Sequence, residues 1–398
     1  MMDEVAMSTT VNTHGMDGSL VAPDWAPLKM EEVRVLLGQF PLCGEPLKIL
    51  RSSPRPFSAA SVVATSTGRV FIKRHHRSVR EREGLLEEHR FLNYLHAHGA
   101  PVPLVFAAVS GVTAIECGEW TYEVHEAPRD VDLYADSLSW TPFRSASHAH
   151  SAGQVLARLH HASKGFDAPR RRPRPLVASF TIFAAENPHA EMKRYFQARE
   201  ALKENAAVRA NAELALDLLA SFHAELQPLL PALAPLWTHN DLHASNLLWS
   251  SSGDSAQASA IIDFGLSDRT NAIHDLAHAI ERNIVEWLAL VHHPEQPEIV
   301  PVHYDHLRAL LDGYESIRRL TDAEALALAP MAALCHAEFA LSETDYFLGV
   351  LQSEEKARMA HEGWLVGHAR WFHFAAGQKL LDTIREWASA RSSTKEQS

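Results

Sequence analysis

Hydrophobic and polar positions along the chain fall into two textures. Residues 28–40 (LKMEEVRVLLGQF) place apolar side chains at helical spacing and predict a short helix. From 47 to about 124 the pattern turns strand-like. Runs at 47–53 and 60–65 are rich in β-formers, Ser66, Thr67 and Gly68 make a turn, and 69–74 (RVFIKR) follows as a strand. Residues 78–98 lack proline, carry Leu85, Leu86, Phe91, Leu92 and Leu95 on one helical face, and stop at Gly99. Pro101, Val102 and Pro103 then enter a strand pair that ends with 119–124 (EWTYEV), and 127–130 reads as a connector.

Beyond the connector the spacing is mostly helical, over 145–163, 190–229 and 274–291. The exception is 236–266, where short apolar runs alternate with polar turns. A small strand-rich half followed by a large helical half predicts an α+β chain of two lobes with a cleft between them. The expected divisions are a disordered tail at 1–27, a first lobe at 28–124, a second at 125–390 and a flexible end at 391–398. The first twenty residues carry acids, polar residues and glycines, without the basic start and apolar run of a signal peptide. No repeat at solenoid periods is visible.

Composition narrows the function classes. Hydrophobic residues make up 46% of 398, enough to fill real cores. A net charge of −12 argues against a protein that grips nucleic-acid phosphates. Three scattered cysteines, Cys43, Cys117 and Cys335, form no CxxC and suit a reducing cytoplasm. The apolar stretch 101–115 is too short for a membrane span and is broken by Pro, Ser, Gly and Thr, so no membrane role is expected. Arginine outnumbers lysine 28 to 9, which makes each lysine a rare choice. The basic run Arg170, Arg171, Arg172 and Arg174, laced with prolines, reads as a solvated loop.

The strongest chemical signal is WTHNDLHASNLLW at 237–249 followed by AIIDFG at 260–265. Phosphoryl transfer needs metal ions to bridge charged phosphate oxygens, and hard Mg²⁺ takes oxygen ligands from carboxylate and amide side chains. It also needs a carboxylate that orients the attacking hydroxyl and accepts its proton. Asn246 and Asp263 suit the metal and Asp241 suits the hydroxyl. Asp and Asn are also ordinary turn residues, and each alone would mean little. A rival reading takes His239, Asp241, His243 and Asp263 as metal ligands of a hydrolase, with His303 and His306 as a further pair. It gives no reason for Asn246.

The segment HNDLHASNLLW with IIDFG resembles the motif and metal-binding Asp of the aminoglycoside phosphotransferase superfamily, which includes choline and homoserine kinases. The resemblance implies a bilobal protein-kinase-like fold and transfer of the γ-phosphate of ATP or GTP, with Mg²⁺, to a hydroxyl acceptor. The acceptor would be a small molecule such as an aminoglycoside, homoserine or a choline-like alcohol. The family usually has His-Gly-Asp where this chain has His239, Asn240 and Asp241, and Asn tolerates backbone conformations that favour Gly. The resemblance further implies a phosphate-contacting lysine, Lys73, in the strand FIKR, and a helix glutamate that holds it, Glu88, with Glu87 as the near alternative. Lys73 is the only lysine between Lys48 and Lys164, and a compact ammonium suits a buried phosphate contact. By the same resemblance the His125 carbonyl and the Ala127 amide meet the purine, and Ser58 and Ser61 offer donors to phosphate. His239 and Asp275 would be structural supports. A Ser/Thr protein kinase of the small bacterial type is the closest alternative, although no activation segment with an APE-like end follows Asp263.

The resemblance covers about residues 30–290 and fades where an acceptor site would be built. Residues 268–386 hold 19 acidic against 10 basic side chains, a balance that attracts cations or merely keeps a surface soluble. Candidates to line the acceptor site are His336, Glu338, Glu343, Asp345 and Tyr346, with Trp364 and Trp371 as apolar walls.

Overall fold

The structure, a computed structural model, describes residues 12–294 and 296–395. The chain forms two compact units. One is built from the chain up to Arg82 together with Val105–Pro128, the other from Glu83–Leu104 and the chain from Arg129 onward.

The first unit is organised by an antiparallel sheet of five strands. In spatial order they are Pro46–Ser52, Ala59–Thr65, Gly68–His76, Trp120–Glu126 and Ala114–Cys117. The helix Met30–Leu37 lays Val33, Leu36 and Leu37 on the sheet, where they join Val63, Val70, Ile72 and Val124 in one apolar core. The expected tail is ordered from residue 12 on. Thr13–His14 pairs with Leu20–Val21, the Trp25 ring stacks on His76 with centroids 5.0 Å apart, and the Ala26 carbonyl accepts from Arg74. Residues 1–11 lie outside the described residues.

The second unit is mainly helical. Arg82–Ala97 packs here through Phe91, whose ring lies 5.1 Å from Phe166, 5.3 Å from Trp237 and 6.0 Å from Phe264. Two helices, Ala146–Ala162 and Tyr304–Ile317, cross closely because glycine faces backbone at the crossing. A Cβ on Gly153 would lie 2.1 Å from the Leu310 carbonyl, and one on Gly313 would lie 2.0 Å from that of His150. The apolar pattern at 190–229 resolves into Pro188–Gln197, Glu200–Lys203 and Ala206–Leu226, with Asn187 and Asn205 side chains capping the outer two. The pattern at 274–291 likewise splits into Ala272–Ile284 and Trp287–His292, because Val285 turns extended between them.

Two expectations need correction. Asp322–Gly349 is a helical stretch apolar and long enough to cross a membrane, which the reading of 101–115 overlooked; 94% of its most apolar window is buried in the protein, as in a core helix. The basic run is not a solvated loop throughout. Arg171 is only 5% exposed and Arg174 is mostly buried, for reasons that belong to the site. At the other end, the last helix, Ala375–Lys395, continues into the expected tail, and Arg391 donates to the Leu320 carbonyl at 2.7 Å.

Candidate functional site

Two nested strand pairs build the site in the second unit. The outer pair joins Pro235–Thr238 to Asp268–Asn271, and the inner pair joins Leu247–Trp249 to Ala258–Ile261. Nesting forces the two intervening segments, 239–246 and 262–267, to run side by side. The Ile262 amide donates to the Asn246 carbonyl at 2.9 Å, so the residue before Asp263 is tied to Asn246.

The turn after the outer strand is tight. Asn240 has φ 63°, in the left-handed region where Asn is tolerated and most side chains are strained. Its fully buried side chain is hydrogen-bonded through both its oxygen and its nitrogen. Oδ1 accepts from the Thr238 hydroxyl at 2.8 Å, the Thr270 hydroxyl at 3.2 Å and lies 3.2 Å from His274 Nδ1, while Nδ2 donates to the Leu266 carbonyl at 3.1 Å. The flanking histidine is equally committed. His239 Nε2 donates to the Ile262 carbonyl at 3.0 Å, and Nδ1 accepts the Asp241 amide at 3.2 Å. With both ring nitrogens used by backbone, His239 has no lone pair left for a metal, which removes a ligand from the hydrolase reading.

The helix Ala272–Ile284 holds this loop from behind. Every one of its residues is buried. Asn271 caps it by accepting the amides of Ile273 and His274, which leaves Asp275 free to reach outward. Asp275 accepts the His239 amide on Oδ2 at 2.8 Å and the Asn240 amide on Oδ1 at 2.7 Å. Burial pushes its carboxyl up, but His160, His239 and these amides outweigh that and hold it below the ordinary range. His160 donates from Nε2 to Asp275 at 2.9 Å and accepts the Tyr314 hydroxyl on Nδ1 at 2.7 Å. The close glycine crossing is what brings Tyr314 to His160. Two turns along the same helix, Asn283 accepts the Ala244 amide at 2.8 Å and donates to the Leu242 carbonyl at 2.7 Å.

Asp241 sits between these supports with its side chain 18% exposed. Asn246 Nδ2 donates to its Oδ2 at 3.2 Å and to its backbone carbonyl at 2.9 Å, and Arg282 Nε donates to its Oδ1 at 3.1 Å. His243 Nε2 lies 3.6 Å from Oδ2. Burial raises the Asp241 carboxyl, yet His243 and the Arg282 guanidinium prevail and hold it below the usual carboxylate range. A carboxylate so fixed is a charged, oriented acceptor open on one side. The Asn246 amide nitrogen is spent on Asp241, which turns its oxygen away from that residue. Asp263 is exposed, at φ 62°, on the adjoining segment. Carboxylate and amide oxygens are the donors that Mg²⁺ takes, so this set fits the ion.

Arg171 ties the Glu88 helix to the Asp263 segment. Its Nη1 donates to the carbonyls of Gly265 at 2.9 Å and Ser267 at 3.2 Å, and its Nη2 donates to that of Gly84 at 3.1 Å. Nη2 also lies 3.6 Å from the Glu88 carboxylate, and the Arg171 amide donates to Asp268 at 2.8 Å. Glu87 lies further out, 3.5 Å from Arg174.

In the first unit, Lys73 is buried in mid-strand, paired across to Ala60 on one side and Glu123 on the other. The Glu123 carboxylate is flanked by His75 at 2.9 Å and His125 at 2.8 Å. His125 ends near the strand's edge and Ala127 follows the strand. Ser58 belongs to the connection before the second strand. Ser61 lies within that strand instead, with its buried hydroxyl 3.1 Å from that of Ser52.

The acceptor candidates separate into two groups. Glu338 accepts the amides of Thr181 and Ile182, the latter at 2.6 Å, and Asp345 lies 3.6 Å from Arg199, so both brace the chain around 181–199. His336, Glu343 and Trp364 instead lie around Arg282 or its neighbour His368. Tyr346 and Trp371 are buried, and the Trp371 indole donates to Pro297 at 3.2 Å. His303 and His306 stack at 5.0 Å, with His303 bound to Glu286. Arg282 and Asn283 are not singled out by the sequence reading, and Arg171 enters it only as part of a solvated loop. For Arg282 and Asn283 the signal is their spacing, seven and eight positions after Asp275 on the same helix.

A family model described as a phosphotransferase enzyme family matches residues 57–320. No curated protein matches the chain in sequence. Among solved structures the chain is similar to a microcompartment-associated aminopropanol kinase at 19% identity and a TM-score of 0.54, over 86% of this chain and 98% of that one. At this distance the likeness is one of fold. It is also similar to an aminoglycoside phosphotransferase from Alicyclobacillus acidocaldarius subsp. acidocaldarius, at 16% identity and a TM-score of 0.49 over 92% and 98% of the two chains. An amicoumacin kinase solved with AMP-PNP, Ca²⁺ and Ami shares 15% identity at a TM-score of 0.49, over 83% and 89%.

Proposed function

This chain belongs to the phosphotransferase enzyme family, and on that premise we propose that it moves the γ-phosphate of ATP or GTP to the hydroxyl of a small molecule. The observation that carries the reading is Asp241, a carboxylate fixed by Asn246 and Arg282 yet open on one side. Asp241 orients the acceptor hydroxyl and takes its proton as the hydroxyl oxygen bonds to the γ-phosphorus. The bond from that phosphorus to the bridging oxygen breaks, and the nucleoside diphosphate leaves. Asn246 and Asp263 would hold Mg²⁺, which supplies charge neutralisation along the phosphates when bound. Lys73 contacts the phosphates as a compact point charge. The His125 carbonyl, the Ala127 amide and the Ser58 segment serve the nucleotide, and Glu88 is carried over as the support that the resemblance implies. His239 and Asp275 position the loop and touch no reacting atom.

A protein acceptor fits less well. Only four residues separate Asp263 from the strand Asp268–Asn271, and the helix Ala272–Ile284 follows at once, which leaves no length for an activation segment.

The test is acceptor-dependent nucleotide consumption across a panel of alcohols, with Asp241→Asn beside the native chain. The variant keeps nucleotide affinity within about threefold and loses transfer by at least about a hundredfold. Undiminished turnover in Asp241→Asn overturns the reading.

A further inference from the structure

His243 lies beside Asp241, and the proposed transfer gives it no task. Its place is set by the backbone. The His243 amide donates to the Asp241 carbonyl at 2.9 Å, and the Asn246 amide donates to the His243 carbonyl at 2.8 Å. Turns closed in this way double the segment 241–246 back on itself. The Ala244 amide, bound to Asn283 at 2.8 Å, pins it to the helix Ala272–Ile284. The His243 ring, with its side chain 8% exposed, therefore ends with Nε2 3.6 Å from Asp241 Oδ2. At the other edge of the ring, Nδ1 lies 2.8 Å from the Ser245 hydroxyl.

The two contacts together decide which ring nitrogen carries the hydrogen. A neutral imidazole has one N–H and one lone pair. With the hydrogen on Nδ1, the Nε2 lone pair would face a carboxylate oxygen, which is repulsive in a place largely shielded from water. With the hydrogen on Nε2, the ring turns its positive edge to Asp241 and its lone pair to Ser245, whose hydroxyl rotates to donate. Donation then runs one way, from Ser245 Oγ to Nδ1 and from Nε2 toward Oδ2. Asp241 has use for such a donor. Its Oδ1 is held by Arg282 Nε at 3.1 Å. Its Oδ2 has Asn246 Nδ2 at 3.2 Å, a nitrogen that also serves the Asp241 carbonyl at 2.9 Å. Oδ2 is thus the less firmly held oxygen. A separation of 3.6 Å is too long for a hydrogen bond in the free protein, but catalytic contacts that are long without substrate tighten when it binds.

We propose that His243 and Ser245 are positioning residues for the transfer: Ser245 holds the imidazole with its Nε2 hydrogen toward Asp241, and His243 keeps Oδ2 aligned while Asp241 meets the acceptor hydroxyl. The inference rests on the proposed role of Asp241 and adds two residues that serve it. Neither touches a reacting atom. His243 stays neutral throughout and acts by orientation, so no proton passes through it.

The test measures nucleotide consumption by the whole purified chain with ATP and Mg²⁺. Ethanolamine, homoserine, glucose and glucosamine serve as acceptors, and water alone gives the baseline. His243→Leu lowers kcat by about thirtyfold with the best of these acceptors, while the KM for ATP stays within about threefold. His243→Gln, whose amide N–H has a similar reach, recovers kcat to within about fivefold of the native chain. Ser245→Ala lowers kcat by about fivefold and Ser245→Thr restores it. Adding Ser245→Ala to His243→Leu brings no further loss, because the hydroxyl acts only through the ring. Unfolding temperatures of all variants are the folding control. A second measurement needs no activity. In ¹⁵N spectra of the histidine-labelled chain, the His243 signals, identified by their loss in His243→Gln, show a hydrogen on Nε2 and none on Nδ1. An unchanged kcat in folded His243→Leu, a separate loss from Ser245→Ala in that background, or a His243 hydrogen on Nδ1 overturns the inference. Turnover lost in Asp241→Asn and kept in His243→Leu sinks this inference alone. Turnover undiminished in Asp241→Asn sinks the proposed function and this inference with it.

Discussion

Arg282 binds Asp241 and Glu281 with two edges of one guanidinium, Nε to the first at 3.1 Å and Nη1 to the second at 2.8 Å. Arg282 is 1% exposed, so the contact is shielded from solvent on its own side. Its consequence is orientation, since Asp241 is held from one oxygen by Arg282 and from the other by Asn246. Removing the guanidinium outright would strand buried carboxylates, at a cost of about 3–5 kcal/mol. Arg282→Lys keeps the charge and loses the two-edged geometry. We expect it to fold and to lower kcat by about ten- to a hundredfold, with the nucleotide KM changed by less than about threefold. Steady-state kinetics on the folded variant check this, and an unchanged kcat would remove Arg282 from any positioning role.

Asn240 separates backbone from side-chain effects in the same loop. Its φ of 63° suits glycine at no steric cost and strains alanine. Its side chain, by contrast, makes hydrogen bonds that neither glycine nor alanine can replace. Both substitutions should therefore destabilise the chain, and Asn240→Ala by about 1 kcal/mol more than Asn240→Gly. Denaturant unfolding of the two variants gives the difference directly. Equal stabilities would mean the turn relaxes its backbone when the side chain is gone.

The contrast between Asn240 and Arg171 shows which parts of the site a linear sequence can carry. Asn240 was legible because residue type and backbone conformation meet within one position. The run from 237 to 265 was legible because short apolar stretches and intervening polar turns encode local strand pairs, and pairing alone brings Asn246 beside Ile262. Arg171 was not, because its environment is made by residues far away in sequence, at 84, 88, 265 and 267. An arginine among prolines and other arginines looks solvated until the helix after Arg82 is placed against the Asp263 segment. Arg282 and Asn283 fall between these cases. Their spacing from Asp275 marks one helical face, but only the fold shows that the loop carrying Asp241 lies on it. The break at Val285 was missed for a similar reason, since the apolar period runs on through residues that pack in a second, separate helix.

Arg171 yields a prediction of its own. Arg171→Met keeps the aliphatic stem and leaves the carbonyls of Gly84, Gly265 and Ser267 without their shared donor. The loss should be roughly 3 kcal/mol or more, because each buried unpaired group costs about 1–3 kcal/mol. Two of those carbonyls follow Asp263 closely, so the segment proposed to hold Mg²⁺ should also loosen. The Mg²⁺ concentration for half-maximal activity is expected to rise by about tenfold in the folded variant, which a purely structural loss would not cause. Thermal unfolding and a Mg²⁺ titration at low temperature read the two effects separately. A variant with lowered stability and an unchanged Mg²⁺ requirement would confine Arg171 to holding the fold.

Glu343 makes stability depend on pH in a direction that can be stated beforehand. Burial pushes its carboxyl well above the ordinary range; Arg282 opposes this, and Asp241 and Glu281 add to it. In the unfolded chain the same carboxyl loses its proton near the ordinary glutamate value of 4.5. Above that point the folded chain holds a proton that the unfolded chain has released, so raising the pH favours unfolding until the folded group also titrates. Each pH unit in this window costs about 1.4 kcal/mol for one group. Glu343→Gln carries no titrating group and escapes the cost. Its unfolding temperature should therefore match the native chain's near the ordinary value of the carboxyl and exceed it increasingly as the pH rises, by a few degrees per unit until the folded group titrates. Glu281, pushed up to about 7 by burial, titrates in both chains and largely cancels in the comparison. Thermal unfolding of the two chains across that range decides the matter, and a difference that stays flat with pH would show that Glu343 is ionised and already paired in the free protein.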